Sequence, residues 1–268
     1  MRGESEVFEL MGNYEPFSCE ASEPLFMLTI GPDEAVSYAE DLRQEDEGQT
    51  IVCGRTAQNE PVFEFIWSDE SSGQLVCTPD YHEGRLVLTD RHTKMAIDNA
   101  LMVLYALATA TKRTVLFHAA VVSLQDKGFL FLGKSGTGKS THASLWVKHI
   151  EGTQLMNDDN PVVRIHEDGA VVYGSPWSGK TPCYRNVNSP LGGIVLLSQA
   201  PHNKIRRLTG LEAYAALVAS ISGKRWDERI ADGLHQTENE LASTVPMWHL
   251  VCLPNEEAAI VCQTTISS

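Results

Sequence analysis

The chain has 268 residues, 43% of them apolar, and carries a formal net charge of −14 with a pI of about 5.0. That length suits one large domain or a main domain with an appendage, and the apolar share excludes disorder as the main state. The negative charge sets the chain against nucleic-acid phosphates and anionic lipid surfaces, so no nucleic-acid or membrane partner is expected.

The N-terminal stretch "MRGESEVFELMGNYEPF" has no apolar run of the signal-peptide kind. The most apolar stretch, "ALMVLYALATA" at 100–110, is shorter than the roughly 20 residues that span a bilayer. Cys19, Cys53, Cys77, Cys183, Cys252 and Cys262 are scattered without a CxxC pair. They read as reduced thiols of a cytoplasmic protein.

Residues 1–90 read as a β-rich region. The expected strands are "LFMLTIG", "TIVCGRT", "VFEFIWS", "QLVCTPD" and "RLVLTD", with a hairpin turn at "DESSG", 69–73. Between the first two strands, "PDEAVSYAEDLRQEDEG" reads as a short helix and a loop. From His92 the apolar residues take helical spacing through "KMAIDNALMVLYALATATKR". The expected domain boundary lies there, giving a second domain over 91–268. Within it, "TVLFHAAVVSL" reads as one strand, "QDKG" as a turn and "FLFLG" as the next strand. A helix over "STHASLWVKHI" follows, with His142 on its surface. Then come a strand "QLMND", a hairpin over 161–176, and strands "GGIVLLS" and "NKIRRL". Helices over 210–221 and 224–243 and a late strand "MWHLVCLP" complete an α/β core with some antiparallel pairing.

The strongest signal is "GKSGTGKST", Gly133, Lys134, Ser135, Gly136, Thr137, Gly138, Lys139, Ser140 and Thr141. It fits G-x-x-x-x-G-K-[ST] between an expected strand and an expected helix, the setting a phosphate loop requires. Its glycines let backbone N–H groups converge on an anion, and the helix start adds a positive end. Lys139 is expected to reach the β- and γ-phosphates of ATP, and Ser140 to offer its hydroxyl to Mg²⁺. Asp158 and Asp159 follow Lys139 by nineteen and twenty positions, an interval that one helix and a returning strand would fill. One carboxylate then suits Mg²⁺ and the other a proton from an attacking hydroxyl. Residues alone leave open which does which. Lys180, in "GSPWSGK", and Arg185 are candidates for substrate or phosphate contacts.

The stretch from His118 to Asp159 resembles the catalytic domain of HPr kinase/phosphorylase and, more loosely, the phosphoenolpyruvate carboxykinase fold. The resemblance rests on the loop, on His118 fifteen positions before Gly133, and on "NDDN". It implies a P-loop, carboxykinase-like mixed sheet and an ATP-dependent kinase that phosphorylates a hydroxyl, such as serine of a protein, a peptide or the free amino acid. It further implies Asp158 as general base assisted by His118, and Asp159 as metal ligand. Thr141 and Val187 depart from that pattern, since glutamates stand there in the family. A carboxykinase and a nucleotide-gated binding module are the alternatives. By elimination, the β-rich region would serve acceptor recognition or contacts within a homo-oligomer.

Overall fold

The computed structural model describes residues 5–20, 23–31, 33–46, 48–179 and 181–267. It is a mixed α/β protein whose chain divides into two compact units, Met1–Thr109 and Ala110–Ser268. The expected boundary at 90/91 falls earlier than this division.

The first unit begins with a short helix, α1 (Ser5–Glu9), and a 3-10 turn at Gly12–Phe17. Its sheet is built from β1 (Met27–Gly31), β2 (Ala39–Asp46), β3 (Gln49–Arg55), β4 (Pro61–Trp67), β5 (Glu70–Cys77) and β6 (Glu83–Leu88). The order is β1-β6-β5-β4-β3-β2, with β1 and β6 parallel and the other pairs antiparallel. Helix α2 (Thr93–Thr109) packs on β4, β5 and β6. Its buried Ile97, Ala100, Leu104 and Leu107 recur at helical spacing, and this burial assigns the helix to the first unit rather than the second.

Two expectations fail here for local reasons. The stretch expected as a helix and loop contains β2, an edge strand paired along β3. Its helix-forming Glu, Leu, Arg and Gln lose to the ladder, and its charges suit an unpaired edge. The turn expected at 69–73 lies instead at Ser68 and Asp69, with φ of 46° and 68°. Two residues at positive φ make the tight hairpin that matches strand twist, so Glu70–Gly73 joins β5.

The second unit holds a nine-stranded mixed sheet. Its strands are β7 (Thr114–Leu116), β8 (Ala119–Leu124), β9 (Lys127–Leu132), β10 (Gln154–Asp159), β11 (Val162–His166), β12 (Gly169–Tyr173), β13 (Asn188–Gln199), β14 (Lys204–Leu208) and β15 (Met247–Cys252). The path runs β10-β8-β9-β13-β12-β11-β7, and β15 joins β13 to β14. Only β9–β13 and β13–β15 are parallel among the pairs described. Helix α3 (Lys139–His149) covers β8, β9 and β10. Helices α4 (Gly210–Val218) and α5 (Glu228–Thr244) follow β14, and α6 (Glu256–Ile266) packs on α3. The sequence reading missed α6, although its signal is clear: Asn255 accepts a hydrogen bond from the Ala258 amide, and Glu256 and Glu257 fill the first turn.

The core beneath α3 centres on Trp146, fully buried against Phe129 and Phe131. His142 belongs to this core and not to the helix surface. It is 3% exposed, and Trp146 Nε1–H donates to its Nε2 at 3.1 Å. Burial lowers its pKa from 6.5 to about 4, because a charged imidazolium is poorly solvated there. The unfolded chain therefore takes up this proton more readily than the folded one. The associated stability is complete above about pH 6.5 and is lost as the pH falls toward about 4. At about 1.4 kcal/mol per pKa unit the loss is on the order of 3 kcal/mol. Denaturant titrations across that window are expected to show a slope about one proton shallower in His142→Gln, whose carbonyl can still accept from Trp146. Equal slopes in the two proteins would remove His142 from the acid response.

Candidate functional site

The loop Gly133–Gly138 joins β9 to α3. Strand β9 lies inside the sheet between β8 and β13, so the loop emerges from a fixed base. Gly136 and Gly138 have φ of 75° and 106°, values that side chains with Cβ rarely adopt. They turn the chain so that Gly138 caps α3 from a left-handed conformation. Gln199, at the end of β13, donates to the Gly136 carbonyl at 3.2 Å and steadies the loop from the side. Lys134, Ser135, Gly136, Ser140 and Thr141 are exposed, whereas Lys139 is 9% exposed. Its Nζ donates to the Gly133 carbonyl at 3.1 Å.

The run expected as a single strand breaks at Phe117–His118, because its two halves pair with different partners. β7 pairs with β11, whereas β8 pairs with β9 and β10. The break frees the backbone of His118, whose amide donates to the Ser220 carbonyl at 2.8 Å. Phe117 bridges to Ile221 beside it. Arg225 steadies that segment by donating to the Val218 carbonyl and to the fully buried Glu238. Nothing in the sequence flagged Ser220 or Arg225, since their contribution depends on a contact far along the chain.

The His118 ring joins two of the expected site residues. Lys139 Nζ lies 2.8 Å from Nε2, and Asp159 Oδ1 lies 3.3 Å from Nδ1. A lysine ammonium can only donate, so Nε2 accepts and the ring proton sits on Nδ1, directed at Asp159. The His118 and Asp159 side chains are 38% and 33% exposed, so this end of the array is open to an incoming molecule.

The two aspartates face opposite ways. Strand β10 pairs with β8 and carries a bulge at Met156: Leu155 stands opposite Val122, but Asn157 stands opposite Val121. Residues directly opposite share a face. Asp158, opposite Ala120, therefore shares the face of Leu155 and Ala120, which packs toward α3. Asp159, opposite Ala119, lies on the other face. The resemblance implied that His118 assists Asp158; the contact is with Asp159. Asp158 is 4% exposed, and neither carboxylate oxygen has a hydrogen-bond partner among the described residues. Buried carboxylates are normally paired, hydrogen-bonded or bound to a cation. Its backbone is held by Gly179, whose amide donates to the Asp158 carbonyl at 3.2 Å. A Cβ on Gly179 would lie 2.8 Å from that oxygen.

Among the described residues, no three His, Cys, Asp or Glu side chains gather into a metal cluster. Two oxygen donors stand without a described partner for a cation to replace: the exposed Ser140 hydroxyl and, among the described residues, the buried Asp158 carboxylate. Such a sparse oxygen set suits Mg²⁺, which keeps waters and takes further ligands from phosphate. Arg185 is committed elsewhere: it donates to the Leu155 carbonyl at 2.7 Å and to Gln154 at 3.0 Å, at the far end of β10 from the aspartates. Lys180 lies outside the described residues. Beside the loop is a cavity of about 640 Å³, lined by Gly136, Thr137, Gly138, Thr141, Leu145, Leu197, Gln199 and Leu253 among others.

No family model and no curated protein matches the chain. Among solved structures, the Hpr(Ser) kinase/phosphatase from Coxiella burnetii is similar at 11% identity with a TM-score of 0.33. That likeness covers 57% of this chain and 93% of the other. It is a distant structural relationship and assigns no residue. No helix among the described residues is long and apolar enough to cross a membrane.

Proposed function

We propose that the second unit is an ATP-dependent phosphotransferase that moves the γ-phosphoryl group to a hydroxyl, such as that of serine in a protein, a peptide or the free amino acid. The carrying observation is the contact series Lys139–His118–Asp159 at the glycine loop. The loop amides and the start of α3 offer donors for phosphate oxygens. The cavity beside them is large enough for a nucleoside and largely apolar in its side chains, as a base requires. Lys139 sits at the loop to neutralise the β- and γ-phosphates. Ser140 and Asp158 would hold Mg²⁺, which supplies charge neutralisation across the phosphates when bound.

The remaining step is removal of the hydroxyl proton. Once Lys139 turns toward phosphate, the lone pair of His118 Nε2 is available to that proton. Asp159 stabilises the imidazolium that forms and keeps the ring oriented. This reading reverses the order of the aspartates implied by the resemblance: Asp159 works with the base and Asp158 with the cation. Most of the acceleration is expected from positioning and electrostatics, as in other phosphoryl transfers.

The test measures ADP formation and label transfer from γ-labelled ATP with Mg²⁺ against free serine, serine-containing peptides and oxaloacetate. A hydroxyl acceptor is expected to raise ADP formation and to become labelled. Phosphoenolpyruvate appearing from oxaloacetate would assign a carboxykinase instead. Nucleotide affinity with no acceptor-dependent turnover would assign a nucleotide-gated binding module.

A further inference from the structure

We infer that Asn157 is a positioning residue for the acid pair, fixing the end of β10 so that Asp158 and Asp159 are delivered to their opposite faces. The inference rests on the phosphotransfer reading for its kinetic consequence, but the geometry stands apart from it. Asn157 is 0% exposed. Its Oδ1 accepts from the amide of Asp159 at 3.0 Å and from the amide of Asn160 at 2.9 Å. Its Nδ2 faces only acceptors: the Trp177 carbonyl at 3.0 Å, Ser175 Oγ at 3.1 Å and the Ser175 carbonyl at 3.4 Å. Donors on one side and acceptors on the other fix the amide's orientation, so both ends of the side chain are committed.

The two halves do different things. The Oδ1 half folds the backbone after Asp158 into a tight Asx turn, which sets where the Asp159 side chain leaves the strand. The Nδ2 half ties that turn to the segment 175–179. The same segment touches the acids directly, through the Gly179 amide on the Asp158 carbonyl and the bridge between Asp159 and Ser178. Ser175 closes the loop by donating to the Asn160 carbonyl at 2.6 Å. One buried amide thus joins the strand, the turn and the covering segment. Nothing in this network touches the glycine loop among the contacts described. Its loss should therefore disturb proton removal and the cation contact of Asp158, without disturbing capture of the phosphates by the loop.

The experiment compares Asn157→Ala, Asn157→Ser and Ser175→Ala in the full chain. It measures kcat with the hydroxyl acceptor selected above, Kd for ATP with Mg²⁺ withheld, and hydrogen exchange at the Asp159 and Asn160 amides. A misplacement near 1 Å costs about 10²-fold. The expected result for Asn157→Ala is a kcat loss of that order, with Kd within about threefold and faster exchange at both amides. Asn157→Ser keeps a weaker acceptor for the turn and should recover part of the loss; Ser175→Ala should show a smaller loss of the same kind. A kcat within threefold of wild type, or kcat and nucleotide affinity falling together with no recovery in Asn157→Ser, overturns the inference. If Asn157→Ala does not fold, the other two variants decide by the same criteria. If wild type itself shows no acceptor-dependent turnover, the phosphotransfer reading fails. Exchange then decides alone, and unchanged exchange in the variants overturns the positioning role.

Discussion

Asp159→Asn lowers acceptor-dependent kcat by about 10²- to 10⁴-fold, the range for loss of general acid–base assistance, while Kd for Mg·ATP stays within about threefold. The carboxylate serves two donors at once: His118 Nδ1 at 3.3 Å and the Asn160 side-chain amide at 2.6 Å. An asparagine has one acceptor end and one donor end, so it can satisfy only one of them. If its NH₂ faces His118, the ring proton is driven to Nε2, where it opposes the Lys139 ammonium and removes the lone pair that the hydroxyl proton needs. If its NH₂ faces Asn160, the contact that holds residue 159 is lost. In either case the imidazolium formed during transfer has no charge beside it. The measurement is steady-state turnover with the selected acceptor beside equilibrium nucleotide binding. Turnover within threefold of wild type, with Asp158→Asn abolishing it, would return the base to Asp158.

Lys139→Met is expected to lower transfer by about 10²- to 10³-fold, the scale seen when one preorganised charge or donor is removed from a transition state. Unlike the aspartate change, it should also weaken nucleotide binding measurably, because the ammonium attracts phosphate in the ground state as well. Methionine keeps most of the stem volume of a side chain that is 9% exposed. A buried ammonium is costly to desolvate, so thermal stability without nucleotide should hold or rise. Paired calorimetric binding and melting curves separate these effects. A fall in both stability and affinity would mark Lys139 as structural. Transfer within tenfold of wild type would contradict its assignment to the phosphates.

The setting and backbone shape of the glycine loop were legible in the sequence because they are set locally. Three glycines, one lysine and one serine at fixed spacing between a strand and a helix specify nearly all of it. The acid pair was legible as a pair, but not which face of β10 each carboxylate takes. Strict alternation from Leu155 would put Asp159 on the α3 face, and the bulge at Met156 reverses this; a bulge leaves no clear mark in composition. His118 was singled out by its distance from the loop, yet its partner was not. That partner is selected by the break between β7 and β8, which arises from competing strand pairings. Asn157 fell in the expected strand "QLMND" with no role of its own, since its significance lies in contacts to residues eighteen and twenty positions ahead. Arg185 shows the converse. Its guanidinium suits phosphate, but the carbonyl of Leu155 and the side chain of Gln154 already hold it. At β2, helix propensity was a poor guide because an exposed edge strand needs only a neighbour's ladder.

The carbonyl that receives the His118 amide belongs to Ser220, and this has a bearing on biosynthesis. A chain still emerging from the ribosome owns its glycine turn and both acids long before it owns the oxygen that anchors its imidazole. Leu253, which lines the cavity beside the loop, emerges later still, so the surroundings of the glycine turn are assembled only after both have left the ribosome.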